Sequence, residues 1–210
     1  MRRAAGFTLL EVLLATTLLA AALALAFATL RAAGASVERG EAQAARNERM
    51  RAVSSFLRQR IGGAPGLVFG LDAASGASTR FEGDARSMRF VADLPDYLGR
   101  GGPYLHELSV AGGDDGLALD VGFRMLQAGQ AMPATRPPEA LAAGLRTVRF
   151  SYRSVDAQGV PAARTDRWDA PQAMPLQVRV QVADARGAWP DMVVALPVAG
   201  AYVVPAGALP

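Results

Sequence analysis

Residues 7–30 read FTLLEVLLATTLLAAALALAFATL, from Phe7 to Leu30, and Glu11 is the one charged side chain among them. Leu and Ala favour helix, and neither Gly nor Pro interrupts the run. As a helix this stretch is about 36 Å long, enough to cross a hydrocarbon core of about 30 Å. Arg2 and Arg3 precede it. The positive-inside rule then puts the N-terminus in the cytoplasm and the bulk of the chain on the other side. A carboxylate inside such a span is costly unless it is protonated or paired, so Glu11 requires a partner.

Two plainer readings of the segment are a cleaved signal peptide and a simple signal anchor. The apolar run is longer than the roughly 7–15 residues of a signal-peptide core, and no clear small-x-small site is followed by a mature start. Neither reading accounts for Glu11.

The heptapeptide Gly6-Phe7-Thr8-Leu9-Leu10-Glu11-Val12 resembles the prepilin motif of type IV pilins and type II secretion pseudopilins. The resemblance implies cleavage by a prepilin peptidase between Gly6 and Phe7, and methylation of the new N-terminus at Phe7. Met1 to Gly6 would be the leader. Glu11 would be the assembly glutamate, which meets the cationic amine of a neighbouring subunit in a low-dielectric stack of helices and so sets their register. Loss of the leader changes the side-chain balance from 22 − 19 = +3 to 20 − 19 = +1.

Downstream, Val37 to Ile61 mixes charges with small residues, and Met50, Val53, Phe56 or Leu57, and Ile61 recur at three- to four-residue steps. That spacing predicts one apolar stripe on a continuing helix. Gly34 and Gly40 weaken its middle by about 1 kcal/mol each relative to Ala and are candidate bend points. Gly62-Gly63 and Pro65 predict its end. The expected helix covers residues 7–61, about 80 Å of it. Glu38, Glu41 and Glu48 intersperse the arginines of the second half, the pattern of a solvated face and not of a nucleic-acid track.

From residue 62 onward Gly and Pro punctuate short β-like runs. The expected strands are Leu67–Leu71, Ser87–Leu94, Leu105–Val110, Leu117–Leu126, Leu145–Val155, Leu176–Ala183 and Met192–Val198. Leu176 to Val182 alternates strictly, with Leu176, Val178, Val180 and Val182 on one face and Gln177, Arg179 and Gln181 on a wet one, an antiparallel signature. Ala128–Leu145 reads as a Pro-rich loop with one helical turn, and Ala157–Met174 as a long irregular segment. The expected class is α+β: a pilin-like long N-terminal helix packed on an antiparallel sheet. The expected divisions are a leader at 1–6, a transmembrane and assembly helix at 7–30, its amphipathic continuation at 31–61 and a β-rich head at 62–210.

Val148-Arg149-Phe150-x-Tyr152, Asp156, Trp168, Met174-Pro175-Leu176-x-Val178-Arg179-Val180 and Val194-Ala195-Leu196-Pro197 resemble the J-type minor pseudopilins of type II secretion, with Met174 in place of their usual Leu. That resemblance implies a subunit of the pseudopilus tip. I- and K-type partners would stand beside it and an H-type subunit beneath. The subunit would help to initiate assembly and the export of folded proteins across the outer membrane. Exported substrates or the secretin are further contacts it allows. It also implies a single-pass inner-membrane protein with a periplasmic head. A minor pilin of a type IV pilus is the alternative, although pilins often staple a C-terminal loop with a disulfide and this chain has no cysteine.

Composition narrows the chemistry. No cysteine excludes a thiolate metal site and a Cys nucleophile, and the 22 basic residues are all arginine, which excludes a Schiff-base lysine. A catalytic triad would need the one histidine, His106, in a β-like run where a structural role is the ordinary one. Gly112-Gly113-Asp114-Asp115-Gly116 with Asp120 offers oxygen ligands for calcium but lacks the EF-hand pattern and reads as a hairpin turn. Trp168 and Trp189 read as packing or loop anchors. No catalytic residue, metal or cofactor is expected, and the protein reads as a substrate of enzymes and not as one.

Overall fold

The structure is a computed structural model and describes residues 8–94, 101–113, 115–156 and 158–196. The chain divides into two compact units, Met1–Arg49 and Met50–Pro210. One helix, α1 (Leu9–Gly62), begins in the first and ends in the second. It runs through Gly34 and Gly40 without a break, because Ala- and Leu-rich flanks supply propensity on both sides. Its end is where the Gly pair predicts it: the Gly63 amide donates to the Gln59 carbonyl at 3.1 Å. A Cβ at Gly63 would lie 2.9 Å from that carbonyl, so the closing turn needs glycine.

In the second unit the helix end meets a sheet. The strands in chain order are β1 (Gly70–Leu71), β2 (Ser78–Thr79), β3 (Phe81–Gly83), β4 (Ser87–Asp93), β5 (Pro103–Gly113), β6 (Gly116–Gln127), β7 (Gln130–Ala131), β8 (Glu139–Val155), β9 (Pro161–Thr165), β10 (Gln177–Asp184), β11 (Gly187–Ala188) and β12 (Met192–Ala195). β1 and β2 form a small hairpin of their own. The main sheet runs β3-β4-β5-β6-β8-β10, with β11 and β12 both on the far side of β10, β9 on β8 and β7 on β6. Its described pairings are antiparallel.

The inner face follows from period two. Met88 and Phe90 of β4, Leu108 of β5, Leu119 and Val121 of β6, Phe150 and Tyr152 of β8, and Val178 and Val180 of β10 all point into one core. Val53, Leu57 and Ile61, four residues apart on α1, are buried in the same core, and the Phe56 ring meets Phe123 edge-on at 6.5 Å. Each fully buried side chain of this size contributes roughly 1.5–3 kcal/mol. The helix stripe and the inner sheet face therefore hold each other.

Every expected strand has an observed counterpart, although Leu67–Leu71 shrinks to Gly70–Leu71 and Met192–Val198 ends at Ala195, its last two residues lying outside the described ones. Two readings need correction. Ala128–Leu145 carries no helical turn among its described residues; Gln130–Ala131 and Glu139–Gly144 are strand. Glu139 to Ala143 are good helix formers, but pairing with β6 decides. Leu119 faces Ala142 and Val121 faces Glu139, across two register shifts that absorb the irregular run. Ala157–Met174 also contains strand, because Pro161–Thr165 lies along the end of β8.

Candidate functional site

The sequence places its functional residues at the start of α1. Thr8 is the first described residue and caps the helix. Its carbonyl accepts the amides of Glu11 at 3.0 Å and Val12 at 3.2 Å, and its hydroxyl Oγ1 accepts the Glu11 amide at 3.3 Å. Thr8-Leu9-Leu10-Glu11 is thus a T-x-x-E start, a local helix signal set inside the apolar motif. Thr8 fixes where the first turn begins, and Glu11 sits in that turn, where the helix dipole favours a negative charge. Gly6 and Phe7, the expected cleavage and methylation positions, lie outside the described residues.

Around Glu11 the surface is apolar. Leu9 is 85% exposed and Leu10 80%, and Leu13, Leu14, Leu18 and Leu19 are all more than half exposed. The Thr16 hydroxyl donates to the Leu13 carbonyl at 3.0 Å, the Thr17 hydroxyl to Leu14 at 2.9 Å and the Thr29 hydroxyl to Ala26 at 2.9 Å. These polar groups are satisfied within the helix, as a lipid or helix-packed setting requires. Glu11 differs: among the described residues its carboxylate has no partner. The helix is long and apolar enough to cross a membrane, and its apolar portion is unburied within the chain. Such a surface can pass through lipid or pack against like helices, and Ala20, Ala21, Ala22 and Ala24 permit close approach.

The remaining candidates are structural. His106 is fully buried, stacked on Phe90 at 5.5 Å and edge-on to Phe123 at 5.0 Å, with Nδ1 3.0 Å from the Tyr104 carbonyl. Burial lowers its pKa to about 4, so the ring is neutral. Trp189 is buried and donates from Nε1 to Asp184 at 2.9 Å, while Trp168 donates to the Ala173 carbonyl at 3.1 Å and packs near Phe81 and Tyr152. Gly113 pairs with Gly116 to close a tight β5–β6 hairpin. Asp114 in that turn lies outside the described residues, Asp120 faces Ser109 within the sheet, and no group of three metal-ligating side chains occurs among the described residues. A cleft of about 520 Å³ is lined by Glu82, Asp84, Arg89, Arg167 and Trp168 among others. Burial pushes the Asp84 carboxyl up, but hydrogen bonds from Ser87 and the Arg86 amide, with the Arg167 charge, together hold it below the usual range. These groups are engaged in the turn and in ion pairs, and they form no nucleophile–base pair.

Comparison with known proteins adds three findings. The family described as the prokaryotic N-terminal methylation motif matches residues 1–27. The type II secretion system protein J of Xanthomonas campestris pv. campestris is 48% identical over 201 residues, covering 94% of this chain and 95% of that protein. A chain in the crystal structure of the GspK-GspI-GspJ complex from the enterotoxigenic Escherichia coli type 2 secretion system matches with a TM-score of 0.48 and 17% identity, covering 71% of this chain and 96% of that one.

Proposed function

The chain belongs to the family of the type II secretion system protein J, and from that premise we propose that it works as a minor pseudopilin at the tip of the pseudopilus. The observation that carries the mechanism is Glu11: an exposed carboxylate without a partner among the described residues, set in the first turn of an exposed apolar helix. The precursor enters the inner membrane with its N-terminus in the cytoplasm and its head in the periplasm. A prepilin peptidase removes residues 1–6 at the Gly6–Phe7 bond and methylates the amine of Phe7. Residues 7–30 then pack among the helices of neighbouring subunits, where that amine and Glu11 of an adjacent chain neutralise each other in a medium that penalises either alone. Residues 31–61 lead to the head, residues 62–210, which meets I- and K-type subunits with an H-type subunit below. The protein is not an enzyme. It helps to start the fibre whose growth exports folded proteins.

The Glu11→Ala variant should be processed normally yet lose co-purification with the I- and K-type subunits and lower the secretion of exported hydrolases. Normal co-purification and secretion would remove the pairing role. Replacing Gly6 by a bulky residue should leave uncut precursor on a gel, and normal cutting would remove the cleavage assignment. Deletion of the gene should abolish secretion while twitching persists. The opposite pattern would favour a type IV pilus.

A further inference from the structure

The outer face of the main sheet carries a small buried cluster of Phe69, Val91 and Leu105 at one end, and it treats its charges differently at its two ends. At one end Glu82, Arg89, Glu107 and Arg124, on successive strands β3 to β6, alternate in sign. Their ion pairs measure 2.8, 3.2 and 3.6 Å. At the other end Arg149 and Arg153 of β8, Arg164 of β9 and Arg179 of β10 share the face, because their neighbours Phe150, Tyr152, Val178 and Val180 point into the core. Two carboxylates answer four guanidinium groups there: Asp166 pairs with Arg149, and Asp191 with Arg179. Arg153 and Arg164 have no carboxylate at ion-pair distance among the described residues.

The register makes this unfavourable for the isolated head. Arg153 lies directly opposite Arg164 across the β8–β9 pair, and like charges so placed repel. Gln177, also in register with Arg153, accepts from the Arg164 guanidinium at 3.2 Å, and the Ser151 carbonyl accepts from it at 3.4 Å. Those partners are neutral. Burial first, and then Arg153 and Arg179, push the Arg164 guanidinium down from its ordinary value, and the Asp191 charge offsets them only in part. The Nε atoms of Arg153 and Arg179 are buried without a hydrogen-bond partner.

We propose that this outer face, around Arg153, Arg164 and Arg179, is a docking surface for an acidic segment of a partner protein. Half-buried guanidinium groups on paired strands present fixed planar donor forks, which match carboxylates two bonds at a time. Val193, 41% exposed on the adjoining β12 and opposite Arg179, gives the patch an apolar edge for a side chain flanking the acidic residues. A nucleic acid would need a longer basic track, and a lipid surface favours projecting cations over ones laid flat in a sheet. The surface is a property of the head and does not rest on the pseudopilus reading.

The test uses the detergent-solubilised full chain. A fluorescent Asp/Glu-rich peptide and its Asn/Gln counterpart are titrated by anisotropy against the wild type, R153Q/R164Q and, as a control, R146Q at an exposed arginine of β8. The acidic peptide should bind in a salt-dependent way, the amide peptide should not, and the double variant should weaken binding about tenfold or more while R146Q leaves it unchanged. The double variant should also melt no lower than the wild type, since a repulsive pair is removed. If it melts early, R164Q alone, on an edge strand, reads the same loss of binding. Undetectable acidic-peptide binding at low salt, or equal loss in R146Q, would overturn the proposal. So would tighter binding of phosphatidylglycerol vesicles or a DNA oligonucleotide through the same two arginines, or a loss confined to self-association.

Discussion

Tyr152 concentrates several constraints of the head in one side chain. Its hydroxyl lies 2.8 Å from the Asp84 carbonyl and 3.1 Å from that of Ser87, and donates to this pair. Its ring packs edge-on against Phe81 at 5.5 Å. A Cβ added at Gly83 would fall 2.4 Å from both Cζ and Oη of Tyr152. Gly83 is therefore glycine because an aromatic ring occupies the place of its side chain. Gly83→Ala should cost at least about 2 kcal/mol, by overpacking a full core. Tyr152→Phe should cost about 1–2 kcal/mol, because the Asp84 carbonyl loses this donor while the Ser87 carbonyl keeps the Asp84 amide at 2.8 Å. The double variant should lose less than the sum, since the hydroxyl oxygen, one of three Tyr152 atoms within 3.0 Å of the added Cβ, is gone. Urea unfolding of the solubilised chain, followed by the fluorescence of nearby Trp168, measures all three. Burial raises the Tyr152 pKa, with the charges of Asp84 and Asp166 adding to it, so the phenol stays protonated throughout.

At the scale of elements, α1 holds two kinds of position. Leu57 is fully buried against the sheet, so Leu57→Ala should cost about 3 kcal/mol, whereas Arg58→Ala on the exposed side should change little. Gly34 and Gly40 have open space where a Cβ would go. Alanine at each should stabilise the helix by about 1 kcal/mol, read as slower amide exchange around them. A fall in protection would overturn the propensity argument. The helix was legible in the sequence almost to the residue, because composition, period and the terminal Gly pair agree. Strands with clean alternation, such as β10, were equally legible. β3 was not: Phe81 is wholly buried, yet Arg80, Glu82 and Gly83 surround it, and three residues are too few for a period to show. Residues 139–144 favour helix locally and become strand through partners near residue 120, a preference that long-range pairing overrides. The arginine surface was hidden for a related reason. Positions 153, 164 and 179 are far apart in sequence and become neighbours through two strand registers.

For the whole molecule, pH is the simplest probe. His106 is held neutral by burial, reinforced by the Arg60 charge and opposed by the Tyr104 carbonyl and Asp93, with a folded pKa of about 4 against 6.5 ordinarily. Between those values the unfolded chain takes up a proton and the native chain does not. Stability should fall as pH drops from 6.5 toward 4, by on the order of 3 kcal/mol in all. Asp84, Asp72 and Asp191 have lowered pKa values, so what they contribute is present above their ordinary 3.8 and is lost below it, in the same direction. His106→Phe should flatten melting temperature against pH through the upper window and leave the acid limb. An unchanged slope would show that His106 does not set it. The order of the sheet bears on how the head comes to exist at all. Its strands β3, β4, β5, β6, β8, β10 and β12 lie side by side in the order of the chain, so each long-range pairing is made with a strand already in place, a topology that favours fast folding. Closure is another matter. The core that starts with Val53, Leu57 and Ile61 is completed by Met192, Val194 and Leu196, and Val194 lies within contact distance of where a Gly62 Cβ would stand. A chain cut short before β12 would have its ladder but an open core. Completeness at the far end thus becomes a condition for folding at the near one, and a truncated subunit exposes the apolar surface by which proteases recognise failure.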